Sequence, residues 1–199
     1  MESKHHILSA IRQHKLDGRE LPNLGQDWIT YDNLPEQFAT MLESVGGQCV
    51  FANDPADINV QLTQIPAYTE ATRICSLIDG VGDSNVDLNA IDDPHECDDI
   101  DFAIFAGQFG VAENAAIWVT DQNLKHRVLY FIAQHIALVV PTARIVDNMH
   151  QAYEQLSFAE PGFGTFISGP SKTADIEQSL VIGAHGARSL TVFLLPSAT

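Results

Sequence analysis

Apolar positions along the chain fall into short runs separated by glycine, proline and acidic turns. Residues 3–16 read as a helix, with Ser3 as cap and Ile7, Leu8, Ile11 and His14 at helical spacing. The stretch 17–33 holds Gly18, Pro22, Gly25 and scattered apolar residues, which predicts a connecting arm. Asp32 or Asn33 caps a second helix that has Pro35 in its first turn. Phe38, Met41, Leu42 and Val45 form its buried stripe, and Gly46-Gly47 ends it. Cys49 to Ala52 is a strand, and Asp54-Pro55 opens a third helix with Ile58 and Leu62 inside. Arg73 to Ile78 is a strand closed by the turn Gly80-Val81-Gly82-Asp83. This alternation predicts βαβ units and a mainly parallel sheet.

The second half has a different texture. Residues 101–105, 115–119 and 136–140 read as strands, the last stopped by Pro141, while 128–133 suits strand or helix equally. Asp147 caps a helix running through Leu156, 164–168 is a strand, 173–183 a helix and 190–195 the last strand. The expected organisation is a helix and arm over 1–33 and one α/β domain over 34–199.

Composition narrows the function classes. The chain has 199 residues, 45% hydrophobic and 18% charged, which is globular usage. Its formal net charge of −16 repels phosphate backbones and anionic lipid, so non-specific nucleic-acid binding is excluded. Cys49, Cys75 and Cys97 lie far apart with no CxxC pair, so no iron–sulfur cluster, zinc or other metal site is expected on this chain. The longest apolar stretch, Val128 to Val140, is broken by Gln134 and His135 and is too short for a membrane span. With no apolar leader after Met1, the expectation is a cytoplasmic protein.

Three stretches carry candidate chemistry. In Phe166-Ile167-Ser168-Gly169-Pro170-Ser171-Lys172-Thr173, a strand runs into a glycine turn and the predicted helix. Ser171 or Thr173 caps that helix and Glu177 assists. The helix N-terminus and Lys172 would then gather an anion site, though the Walker spacing is absent. An ordinary capped helix start explains the same residues. In Gly110-Val111-Ala112-Glu113-Asn114, a lone carboxylate sits at a strand turn, as a base, a nucleophile or a turn residue bonding nearby N–H groups. In Gly183-Ala184-His185-Gly186-Ala187-Arg188, His185 lies between two glycines as ligand group or helix-dipole partner. The acidic run Asp92 to Asp101 lacks the pattern of a calcium loop and reads as a solvated loop. Gly80-Val81-Gly82-Asp83 lacks the third glycine of a dinucleotide fingerprint.

The run Gly169-Pro170-Ser171-Lys172-Thr173-Ala174-Asp175-Ile176-Glu177, followed by Gly183-Ala184-His185-Gly186-Ala187-Arg188, resembles the signature of the LUD-domain family, lactate utilization protein C (LutC/YkgG) type. Gly110-Val111-Ala112-Glu113 resembles its upstream element. Where many relatives continue Thr-Gly-Thr, this chain has Asn114-Ala115-Ala116. The resemblance implies a doubly wound, mostly parallel α/β sheet with helices on both faces, like the NagB/RpiA/CoA transferase proteins. It also implies an accessory or ligand-binding component of a system oxidising L-lactate to pyruvate, with iron–sulfur partners of the LutA and LutB type. The alternative is an isomerase or acyl/CoA-transfer enzyme using Glu113 as base or nucleophile. The expected site joins Glu113 to Gly169, Ser171, Lys172, Thr173, Asp175, His185 and Arg188. It would take a small carboxylate or phosphate-bearing ligand beyond the carboxyl end of a strand.

Overall fold

The computed structural model describes residues 2–14, 18, 20, 22–157, 162–176 and 179–196, with the side chains at 2, 174–176, 179 and 180 left aside. Helix α1 covers Glu2–Gln13. Ile7 and Ile11 are 58% and 63% exposed there, so the apolar stripe of this helix faces solvent. Helix α2 (Leu34–Ser44) starts where Asn33 accepts from the Glu36 N–H and Pro35 occupies the first turn. It buries Phe38 and Leu42 completely, each worth about 2–3 kcal/mol of transfer free energy.

Strand β1 (Gln48–Phe51) and helix α3 (Pro55–Leu62) follow, the helix capped by Asp54. A one-turn helix α4 (Pro66–Thr69) leads to strand β2 (Ile74–Ser76). The turn after β2 has Gly80 and Gly82 at positive φ. Asn59 fills its mouth, donating to Gly80 O and accepting from Gly82 N–H at 2.8 and 2.7 Å. That amide is therefore closed to a phosphate.

The second half supplies strands β3 (Phe102–Ala106), β4 (Phe109–Val111) and β5 (Ala116–Thr120), then helix α5 (Leu129–Ile132) and strand β6 (His135–Pro141). Strand β7 (Ile145–Val146), helix α6 (Met149–Glu154), strands β8 (Gly164–Ile167), β9 (Lys172–Ile176), β10 (Ser179–Ile182) and β11 (Ser189–Leu195) complete the order. The cap of α6 is Asn148, one residue beyond the expected Asp147.

β1, β11, β6, β3 and β2 form one wholly parallel sheet in that order. Alternate residues serve opposite faces, as the period of a strand requires. Ile104, Ala137 and Phe193 pack with Ile58 and Leu62 of α3 on one side. Phe105, Leu138 and Val192 pack with Phe38 and Leu42 of α2 on the other. The fold is thus the mixed α/β architecture with a parallel sheet and helices on both faces. A second sheet, β7-β4-β5-β8, joins α2 on the same side through Ile117 and Val119. Its far face holds Phe109, Val111 and Trp118 against Ala152 and Met149 of α6.

The expected helix over residues 173–183 is overturned: β9 and β10 are an antiparallel hairpin, with Thr173 opposite Val181 and Lys172 opposite Ile182. Ser171 is engaged on both sides, its N–H donating to Ala187 O and its carbonyl accepting from Gly183 N–H. Thr173, Ile176, Val181 and Ile182 are β-branched and suit a pleated pair better than a helical turn. Glu177, expected to assist the cap, lies outside the described residues.

Candidate functional site

The carboxyl end of β8 makes the sharpest feature. Gly169 takes φ +69, and a Cβ there would lie 2.6 Å from Val45 O and 2.9 Å from Lys172 Nζ. The strand end therefore lies directly on the C-terminus of α2, where only a glycine fits. The Lys172 stem passes Gly46, a Cβ at which would sit 3.8 Å from Lys172 Cε. Its ammonium is thus beside the negative end of the α2 dipole, worth about 0.3–1 kcal/mol. Gly186 packs on Ser171 in the same way, a Cβ there falling 3.0 Å from Ser171 Cβ.

These close approaches wall a cleft of about 300 Å³. Gly169, Ser171, Lys172 and His185 line it, with Tyr130, Phe131, Ile136, Phe166 and Leu190 as apolar floor and sides. The structure therefore brings together four of the residues expected from sequence. Ile136 and Leu190 are the second residues of β6 and β11, so the cleft lies at the amino ends of the parallel strands, not beyond their carboxyl ends. β8 does end at the cleft, but it belongs to the second sheet. The anion site built on a helix N-terminus is corrected with the helix itself: residues 172–174 are strand, and their amides are not an open helix start.

Thr173, Arg188 and Glu113 are not among the residues lining this cleft. The Asp175 side chain lies outside the described residues. Arg188 lines a separate cleft, and a Cβ at Gly183 would meet its Cγ at 2.5 Å.

Glu113 sits in the turn of the β4–β5 hairpin. Its N–H donates to Asp147 O, and its Oε2 accepts from the Met149 N–H at 2.9 Å. The carboxylate thereby caps the first turn of α6, which is the turn-residue behaviour weighed above. Oε1 accepts no hydrogen bond among the described residues. Ala115 takes φ +54, a left-handed backbone that favours glycine, and Asn114 Oδ1 supports the turn by accepting from Ala116 N–H. The turn reaches the cleft through one bond: Ser168 Oγ donates to Asn114 O at 2.7 Å.

The sequence reading missed a strap over this junction. Tyr31 N–H donates to Asp147 Oδ1 at 2.7 Å and Asn148 Nδ2 donates to Ile29 O at 2.8 Å. Trp28 stacks on His150 with ring centroids 3.5 Å apart and planes 15° apart. Trp28 and Tyr31 are the two aromatics of the arm, the signal that could have found it. Among the described residues no His, Cys, Asp and Glu group stands in a metal-binding arrangement, and no helix is long and apolar enough to cross a membrane.

The fold is similar to that of a DUF162 family protein from Deinococcus radiodurans. Its crystal structure matches with a TM-score of 0.65 at 17% identity, over 81% of this chain and 96% of that one. The LUD domain family matches residues 92–195, which carry the hairpin, the cleft and the Glu113 turn. The chain belongs to that family. A protein of Neisseria meningitidis serogroup B with no assigned role is 26% identical over 84% of this chain and 70% of its own length. Lactate utilization protein C of Geobacillus thermodenitrificans is 26% identical over 71% of this chain, and that of Geobacillus kaustophilus 34% identical over 38%. The chain spans 59% and 34% of those two proteins.

Proposed function

We propose that this protein is the ligand-binding, non-redox component of a lactate-utilization system, working beside iron–sulfur partners of the LutA and LutB type. The observation that carries the reading is the 300 Å³ cleft built from the family's own signature residues, Gly169 to Lys172 and His185 to Ala187. A cleft of that size is at the small end for ligand sites and suits a small carboxylate. Lys172 supplies the counter-charge, Ser171 and His185 supply polar contacts, and the apolar floor of Ile136 and Leu190 excludes water from the rest. Lys172 is itself exposed, so its counter-charge acts near the surface of a chain of net charge −16. The three thiols do not offer a cluster: Cys75 and Cys97 are buried in the core, and Cys49 lies on β1.

Calorimetric titration with lactate, pyruvate, phosphate and a flavin nucleotide tests the ligand. Binding of a carboxylate that weakens in Lys172→Ala supports the reading. Silence from all four, or equal binding by the variant, defeats it. Co-purification with cysteine-rich iron–sulfur proteins tests the partners. Unimpaired growth on lactate after deletion would refute the assignment to that system.

A further inference from the structure

The Gly183–Arg188 motif serves two clefts, and the reading above uses only the first. The second, of about 620 Å³, opens at the amino ends of β2, β3 and β6. It is lined by Glu70, Arg73, Asp98, Asp99, Asp101, His135 and Arg188, among others. Several of these charges are already engaged. Asp101 Oδ2 accepts from the Thr72 N–H, the Thr72 hydroxyl and the Arg73 N–H at 2.7–3.0 Å. Arg73 Nε stands 3.0 Å from Asp99 Oδ1, an ion pair too far off-axis to be a hydrogen bond. Glu70, Asp98 and Arg188 line the same cleft and have no ion pair among the described residues.

His135 is a second donor in this cleft, close enough to Arg188 to feel its charge. It is opposite Ser189 in the parallel ladder, and its Nδ1 lies 2.8 Å from Ser189 Oγ. With the hydroxyl donating to Nδ1, the ring carries its proton on Nε2, which has no partner among the described residues. Burial, then the Arg188 charge, hold the imidazole below its ordinary titration range, against the opposing pull of Asp101. The ring is therefore a neutral donor at neutral pH.

A plain carboxylate entering this cleft meets Glu70 and Asp98, and a plain ammonium meets Arg188. We propose that the cleft binds a small zwitterion of the amino-acid type. Its carboxylate is taken by Arg188 and the His135 Nε2–H, and its ammonium by Glu70 and Asp98. The site is separate from the Lys172 cleft, and neither proposal needs the other.

The test is an NMR titration of the His135 ring with L-alanine, using acetate and ethylammonium as single-charge controls. A carboxylate arriving beside the ring favours the imidazolium, so L-alanine moves the His135 titration to higher pH. The other charges around the ring, Arg188, Asp101, Arg73, Asp99, Glu70 and Asp98, stay fixed in the comparison. L-alanine binds roughly tenfold or more tightly than either control. Arg188→Gln, an exposed position, abolishes that preference, whereas Lys172→Ala leaves it intact. Acetate binding as tightly as L-alanine, unchanged binding by Arg188→Gln, or no shift up to about 10 mM L-alanine overturns the proposal.

Discussion

Gly169→Ala is the substitution that most directly probes how the cleft is built. Two costs add. The backbone at φ +69 disfavours any Cβ, by about 1 kcal/mol. The new methyl also falls 2.6 Å from a backbone oxygen, Val45 O, which no rotamer change can move aside. Overpacking of that kind adds about 1–3 kcal/mol, so the expected loss is about 2–4 kcal/mol. Gly80→Ala is the matched control: φ is +77, yet nothing lies within 4 Å of its Cβ. Only the backbone cost applies there, and the gain from stiffening the unfolded chain is common to both. With a urea m-value of about 2 kcal/mol/M, the midpoint falls by about 0.5 M for Gly80→Ala and about 1–2 M for Gly169→Ala. Equal shifts would show that β8 does not press on the end of α2, and the account of the cleft wall would fail with it.

Glu113→Ala removes the acceptor of the Met149 N–H and costs about 1–2 kcal/mol, whereas Glu113→Gln keeps an acceptor and costs less; equal losses in thermal unfolding would deny the cap. Trp28→Ala unstacks His150 and speeds proteolysis of the arm before residue 28; an unchanged cleavage rate would mean that the two backbone-linked bonds alone hold the strap. The Thr72 hydroxyl, then the Arg73 and Thr72 amides, hold the Asp101 carboxyl below the ordinary carboxylate range. The folded state thus releases this proton more readily than the unfolded state. Its stabilisation is full above about pH 4 and declines as pH falls through the folded value. Asp101→Asn is accordingly less stable at pH 7, with a gap to wild type that narrows in acid, and a pH-independent gap would contradict this. Burial pushes the Cys75 thiol up to about 11, and burial with Glu43 nearby pushes Cys49 up to about 12, so alkylation at pH 8 follows unfolding rather than preceding it.

The parallel sheet was legible because its strands are short apolar runs fenced by glycine, proline and acidic caps, as at Gly46-Gly47 and Asp54-Pro55. The second sheet was only half legible. Phe109–Val111 is three residues long, too short to show a period, and it reads as part of the turn that follows it. The 173–183 error has a similar origin. Ser171, Thr173 and Glu177 satisfy the local rules of a helix cap, but the distant partners that settle the matter, Ala187 O and Gly183 N–H, are invisible to local rules. In the candidate site, the motif residues at 169–172 and His185 do share a cleft. Arg188, three residues after His185, lines the other one, because the Gly183–Arg188 turn straddles the ends of β6 and β11. Motif membership marked the loop, and only the register of the ladder could divide it.

The position of β11 between β1 and β6 bears on how the chain is made. β1 pairs with β11 from Gln48–Thr191 to Phe51–Leu194, a separation of more than 140 residues. As the chain leaves the ribosome, β1 and the inner face of α2 lack their sheet neighbour until nearly every other element has emerged. Helices and the β4–β5 hairpin can form early, but the sheet closes around its last strand. During synthesis the unpaired edge of β1, with Phe51 53% exposed even in the finished fold, is open to mispairing.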